Sequence, residues 1–256
     1  MAEEFREPFC IATAQASDVS AIAALIHQHA EDKVLMRPRP LIDAAIAERR
    51  SWKIVDARGQ LVAGTFMFPL SESLDEVFPL SAPARASIAA YEMAHMTVHP
   101  LARGLDLGVV LHGLRVVFMI HERITAPPLW LVMSHNLRSL RLIGQMGVER
   151  VTSIPPPLLK GLWNRAQRVL AFRGLTTPAS TLDEVVTTMA LPPHGLNRLL
   201  RETAGALALL GPRYVVDAPL AGWFGLEPLR RLRGLGDSLP WSRSPLYEAL
   251  WRAADD

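Results

Sequence analysis

The sequence predicts an α/β (α+β) fold, with strands and helices in mixed order over residues 1–152 and a mostly helical C-terminal extension over residues 153–256. Three observations carry this. Short apolar runs bounded by turn residues interleave with stretches whose apolar positions recur every three to four residues. Two strand-like runs, Trp52–Asp56 and Leu61–Phe68, are separated by Ala57-Arg58-Gly59-Gln60, the spacing of a hairpin in which Gly59 supplies the positive φ of a tight turn. Finally, Ser153-Ile154-Pro155-Pro156-Pro157 breaks the pattern, because consecutive prolines stiffen the backbone and cannot sit inside a helix.

Taken in order, Phe9–Thr13 reads as a first strand. Val19, Ile22, Ala23 and Ile26 then recur at helical spacing, with Ser17 as N-cap and Asp18 at the positive end of the dipole. A second helix is expected over Pro40–Arg50, and the hairpin follows. Residues 69–90, rich in Pro, Ser and acidic groups, read as a loop or short helical insertion. Tyr91–Val98 is a fourth strand ended by Pro100, which cannot donate to a ladder. Leu107–Glu122 reads as a helix, Leu129–Ser134 as a buried strand, Asn136–Met146 as a helix and Val148–Val151 as a short strand. In the extension, helical patterns cover Leu158–Phe172, Thr181–Met189, Gly195–Leu210, Leu226–Leu235 and Pro245–Ala253, and Tyr214–Val216 is a strand that returns to the main sheet.

Composition excludes several classes. Half the residues are hydrophobic, too many for an intrinsically disordered chain. The longest apolar stretch, Val109–Ile120, is interrupted by His112 and Arg115 and falls short of the roughly 18 residues of a membrane helix. The N-terminus is acidic and lacks the apolar core of a secretory signal, so the expected location is the cytoplasm, away from membranes. Cys10 is the single cysteine, which leaves no intramolecular disulfide and favours a buried small hydrophobe over a nucleophile. Charge is nearly even, with 15 Lys/Arg against 16 Asp/Glu in residues 1–150 and 12 against 9 beyond, which is no nucleic-acid footprint. The histidines show no metal-ligand spacing, and no metal is expected.

The run Val98-His99-Pro100-Leu101-Ala102-Arg103-Gly104-Leu105-Asp106-Leu107-Gly108 joins the fourth strand to the following helix. A strand feeding a helix N-terminus leaves backbone N–H groups without intrahelical partners, aimed together at an anion and aided by the helix dipole. Gly104 and Gly108 permit close approach of the backbone, and Arg103 adds a cation. The second run is Asn136-Leu137-Arg138-Ser139-Leu140-Arg141-Leu142-Ile143-Gly144-Gln145-Met146-Gly147-Val148, in which Asn136 caps a helix that Gly147 ends. Together with the order β-α-α-β-β-β-α-β-α-β, these runs resemble the GNAT superfamily of acyl-CoA-dependent N-acetyltransferases over roughly residues 8–151.

The resemblance implies a mixed, mainly antiparallel sheet flanked by helices that opens between its fourth and fifth strands. It implies acetyl-CoA or another acyl-CoA as co-substrate, its diphosphate held at Arg103, Gly104, Leu105, Asp106, Leu107 and Gly108. The pantetheine arm would then pair with the backbone of Met96 and Val98 beside Asn136. Two positions depart from the family pattern. Asp106 stands where glycine is expected; it tolerates left-handed backbone, yet a carboxylate about 4 Å from a phosphate costs about 4 kcal/mol at an effective dielectric near 20 unless it points away. Ile143 stands where many members carry the tyrosine that protonates the leaving thiolate. A thiol with a pKa of about 8.5 needs little help, and Tyr91 and Ser134 are alternative donors.

Glu92 lies eleven residues before Arg103, where several members place a catalytic glutamate, and is the candidate general base for an amine acceptor. Strand alternation sets Glu92, Ala94, Met96 and Val98 on one face and Tyr91, Met93, His95 and Thr97 on the other. The competing readings are a Glu92 on a solvated face and His95 as base. Two functions follow: transfer of an acyl group to a primary amine of a small molecule or protein, or a degenerate GNAT module that binds acyl-CoA or a protein partner as a sensor. The extension either mediates a homodimer or covers the acceptor.

Overall fold

Proline placement and β-branched runs decide where the elements begin. The computed structural model describes residues 5–29, 36–75, 79–174, 181–232 and 239–251. In chain order these form β1 (Phe9–Thr13), α1 (Val19–His29), α2 (Arg39–Ala47), β2 (Ser51–Val55), β3 (Leu61–Pro69), α3 (Leu70–Asp75), α4 (Ala82–Ser87) and β4 (Tyr91–Val98). There follow α5 (Leu107–His121), β5 (Pro128–Met133), α6 (Leu137–Gln145), β6 (Glu149–Arg150), α7 (Pro156–Arg173) and β7 (Val186–Ala190). The remainder is α8 (Leu196–Leu210), β8 (Tyr214–Val216), α9 (Ala218–Ala221), α10 (Leu226–Leu232) and α11 (Pro245–Trp251). The fold is the expected mixed α/β arrangement of a multi-stranded, mainly antiparallel sheet with helices on its faces.

The chain divides into two compact units, and each takes chain from both sides of residue 152. The first comprises residues 1–67, 94–122 and 197–236. Its strands run β3, β2, β1, β8, with the latter half of β4 beside β3. β1 is antiparallel to β2 (Ile11 opposite Ile54) and parallel to β8 (Cys10 opposite Val215), so the strand expected at Tyr214–Val216 does return to the sheet. β2 and β3 pair with Trp52 opposite Thr65 and Lys53 opposite Gly64. This register separates the two faces. On one, α1 lies so close that a Cβ on Gly64 would stand 2.9 Å from Ile22 Cγ2, and Lys53 reaches Asp18 at 2.8 Å. On the other, the Trp52 ring meets Phe118 of α5 edge-on with centroids 5.1 Å apart.

The second unit comprises residues 68–93, 123–196 and 237–256. The first residues of β4 pair in parallel with β5 at Tyr91–Pro128 and Glu92–Leu129, and β7 runs antiparallel to β5 along its length, from Leu129–Ala190 to Met133–Val186. Leu70, Leu74, Ile88, Leu129, Leu158, Leu162, Ala190, Leu246 and Leu250 form its buried core. α7 is pressed close to α3, since a Cβ on Gly161 would lie 2.9 Å from Leu74 Cδ1.

Several expectations need correction. Thr181–Met189 is not a helix. Its regular part is mainly β7, whose β-branched Val186, Thr187 and Thr188 suit a strand buried between β5 and β6. The three prolines do not exclude a helix; Pro155 is the N-cap and Pro156 opens α7, where a missing N–H costs no hydrogen bond. Ser17 is not the N-cap of the first helix. A 3-10 turn at Ala16–Asp18 precedes α1, and Asp18 accepts from the Gln15 N–H at 2.7 Å. Residues 233–235 and 252–253, expected in the last two helices, lie outside the described residues. Among the described residues no helix is long and apolar enough to cross a membrane.

Candidate functional site

In the first unit, β4 ends at Val98 and the chain turns through a 3-10 segment at Pro100–Ala102. His99 caps this segment, its Nδ1 accepting from the Leu101 N–H at 3.3 Å, while the His99 N–H donates to the Val62 carbonyl at 2.8 Å. Arg103 follows in extended backbone. Gly104 (φ +100°) and Asp106 (φ +53°) are both left-handed, and α5 begins at Leu107. Gly104 is needed for its backbone, since at φ +100° a side chain is strained although a Cβ there would meet nothing within 4 Å. Asp106 is exposed, in the left-handed conformation its residue type tolerates, and its carboxylate does not cap the helix.

The first bond of the α5 ladder runs from the Val110 N–H to the Asp106 carbonyl, at 3.1 Å. The N–H groups of Leu107, Gly108 and Val109 therefore precede any carbonyl the helix itself can offer. Leu107 and Gly108 are buried, whereas Arg103, Gly104 and Asp106 are exposed and Leu105 is half-buried. This loop thus brings together six of the residues expected at a diphosphate: one cation, a left-handed turn and a helix N-terminus.

Met96 and Val98, in the same unit, are half-buried on β4. Their assignment to the face of Glu92 by alternation does not hold, because His95 stands in left-handed backbone (φ +46°) within the strand. A left-handed residue bulges the strand and interrupts its period of two. Desolvation, with Arg37 and His27 nearby, pushes the His95 imidazole down to about 3, so it is neutral at pH 7 and a poor proton acceptor. His95 as the alternative base is thereby discounted.

In the second unit, Asn136 caps α6 as expected, its Oδ1 accepting from the Ser139 N–H at 3.0 Å, and Gly147 (φ +85°) ends the helix region. Ile143 is a core residue, 3% exposed. Ser134 donates to the Asp183 carbonyl at 2.6 Å and contacts Thr187 Oγ1 at 3.1 Å, so its hydroxyl is engaged within the unit. Glu92 is buried and faces Arg165 of α7. Nη2 donates to Oε1 at 2.6 Å and Nη1 to Oε2 at 2.7 Å, while Ser73 Oγ donates to Oε2 at 2.8 Å. A carboxylate clamped by a forked guanidinium and a hydroxyl is an ion-pair partner first. Sequence reasoning missed Arg165 and Ser73. Arg165 lies in the middle of a helix pattern 73 residues away, and nothing local marks it.

No family model matches the chain, and neither does any curated protein. Solved structures do resemble it. One is the ribosomal-protein-S18-alanine N-acetyltransferase from Escherichia coli, at 14% identity over 72% of this chain and 92% of that one, with a TM-score of 0.44. Another is Arabidopsis thaliana Naa50 bound to a bisubstrate analogue, at 9% identity, 71% and 97% coverage and a TM-score of 0.46. A third is the ribosomal-protein-alanine N-acetyltransferase from Brucella melitensis, at 15% identity, 70% and 96% coverage and a TM-score of 0.44. With TM-scores below 0.5, none of these likenesses carries an argument about what this chain does. Among the described residues no three His, Cys, Asp or Glu side chains gather as a metal site would require.

Proposed function

We propose that the chain is an acyl-CoA-dependent N-acyltransferase of the GNAT superfamily, taking an acetyl or longer acyl group to a primary amine of a small molecule or protein. The observation that carries this reading is the Arg103–Gly108 loop, where two left-handed residues turn β4 into a helix whose first amides have no intrahelical partner. That arrangement suits a diphosphate. Arg103 supplies a cation at the rim, and the exposed position of Asp106 leaves its carboxylate free to turn to solvent. The backbone of Met96 and Val98 would pair with the pantetheine arm. A β4 N–H near the thioester oxygen would act as oxyanion donor.

Direct attack needs an unprotonated amine. Because Glu92 is held by Arg165 and Ser73, we assign the amine's proton to solvent and give Glu92 a structural part in this chemistry. The same pair, with Ile143 in the core where a tyrosine acid would stand, favours a second reading: a module that binds acyl-CoA without turnover.

One experiment separates the two. Thermal unfolding is followed with acetyl-CoA and longer acyl-CoAs, and thiol release is then assayed against a panel of amines. A ligand that binds only the folded state adds about 2.7 kcal/mol at a hundredfold excess over its dissociation constant. A shift with thiol release supports the enzyme, a shift without release for any amine supports the sensor, and the absence of a shift overturns both.

A further inference from the structure

Every residue of α5 from Leu107 to Met119 is buried, including His112 and Arg115. Arg115 is wholly buried. Placing a guanidinium on such a helix is costly unless it satisfies a polar group that the fold needs satisfied. Its Nη1 donates to the carbonyl of Ala94 at 3.5 Å, and the same carbonyl accepts from Thr65 Oγ1 on β3 at 3.3 Å. Thr65 is opposite Trp52, on the sheet face that α5 covers, so both donors reach Ala94 from that side. The next residue is His95, the strand residue in left-handed backbone.

A non-glycine residue holds that conformation only where its surroundings impose it. We infer that Arg115, assisted by Thr65, is a positioning residue: its hydrogen bond to the Ala94 carbonyl holds the β4 bulge at His95 and so sets the direction of the amides that follow, Met96 first. His112 completes the arrangement, since Arg115 Nη2 donates to its Nδ1. Burial, with Arg115 beside it, keeps His112 well below the usual histidine range, so it stays a neutral acceptor. Sequence reading saw Arg115 only as an interruption in an apolar run. Its partner is a backbone carbonyl 21 residues away, which has no signature of its own. The role of Arg115 at the bulge rests on this geometry alone; its consequence for acyl transfer rests on the acyl-CoA reading above.

The test uses the full chain with Arg115→Met, which keeps length and loses the donors, Arg115→Lys, and Thr65→Val. A crystal structure of R115M is expected to show His95 outside the left-handed region, with R115K restoring it in part. A folded R115M that keeps His95 at positive φ overturns the proposal. Should R115M not fold, hydrogen exchange at the Met96 amide decides: T65V is expected to speed it, and unchanged exchange overturns the proposal. For the acyl step, the carbonyl stretch of acetyl-CoA labelled with carbon-13 at the thioester is recorded on the protein. The wild-type chain is expected to shift it to lower frequency. R115M is expected to bind acetyl-CoA within a few-fold of wild type and to lose that shift. Retention of the shift in a variant whose His95 has moved overturns the positioning role. Failure of the wild-type chain to bind acetyl-CoA sinks the acyl-CoA reading alone, because the backbone arm still decides the part played by Arg115.

Discussion

The approach of α5 to α8 in the first unit can be tested by a single methyl group. Gly113 on α5 faces Thr203 on α8, and a Cβ built on Gly113 would stand 2.1 Å from Thr203 Oγ1, 2.4 Å from Cγ2 and 2.7 Å from Cβ. Carbon–carbon contacts are comfortable at about 3.5–4.0 Å. Rotating the threonine would relieve at most one of the first two contacts, because its two γ atoms fill two of the three staggered positions, and would do so at the expense of its hydrogen bond to the Leu199 carbonyl at 2.8 Å. It cannot relieve the third, because Cβ is fixed to the helix. Gly113→Ala must therefore push the two helices apart by about 1 Å, an overpacking that costs about 1–3 kcal/mol. Against it stands the better helix propensity of alanine, about 1 kcal/mol. The expected net loss is about 0–2 kcal/mol in the wild-type background. With Thr203→Gly the clash disappears and the same G113A change becomes stabilising by about 1 kcal/mol, a coupling of about 1–3 kcal/mol in the double-mutant cycle. Urea unfolding followed by tryptophan fluorescence measures each corner. A G113A as stabilising in the wild-type background as it is beside Thr203→Gly would refute this packing.

Three further outcomes follow from the site. Glu92 and Arg165 are both largely buried, so Arg165→Met is expected to cost about 3–5 kcal/mol by stranding the carboxylate, while the double change R165M with Glu92→Met recovers most of it; equal losses in single and double variants would remove the pair from the stability of the unit. His95, held at about 3, and His112, held well below its ordinary value, bind protons more weakly folded than unfolded. Their stabilising effect is therefore complete above about pH 6.5 and is lost as pH falls from there towards the folded values, at about 1.4 kcal/mol per pH unit for each proton taken up on unfolding. Urea midpoints at pH 7, 6 and 5 should fall in step, and His112→Gln should flatten the slope. Asp106→Gly is expected to tighten acetyl-CoA binding several-fold, because the left-handed turn survives and a carboxylate leaves the loop; weaker binding measured by calorimetry would show that Asp106 holds the turn.

Local chemistry was legible and long-range pairing was not. The end of β4 follows from Pro100, and the left-handed turn at Asp106 follows from a residue type that tolerates it between a strand and a helix. β7 was misread because Leu182, Val185, Val186 and Met189 fall at helical spacing, while the pairing that makes a strand of Val186–Ala190 comes from β5, more than fifty residues earlier. A buried strand covered on both sides has no need to alternate, so periodicity cannot reveal it. The bulge at His95 is hidden for a related reason. Counting by twos presumes an unbroken ladder, and what breaks this one is a carbonyl met by Thr65 from β3 and Arg115 from α5. Glu92 shows the same limit from the functional side. Its place on β4 suggested a base, and only the fold shows that Arg165 and Ser73 already hold its oxygens. Position along a strand thus indicates which residues stand near the chemistry, whereas the hydrogen bonds arriving from distant elements decide which of them remain available for it.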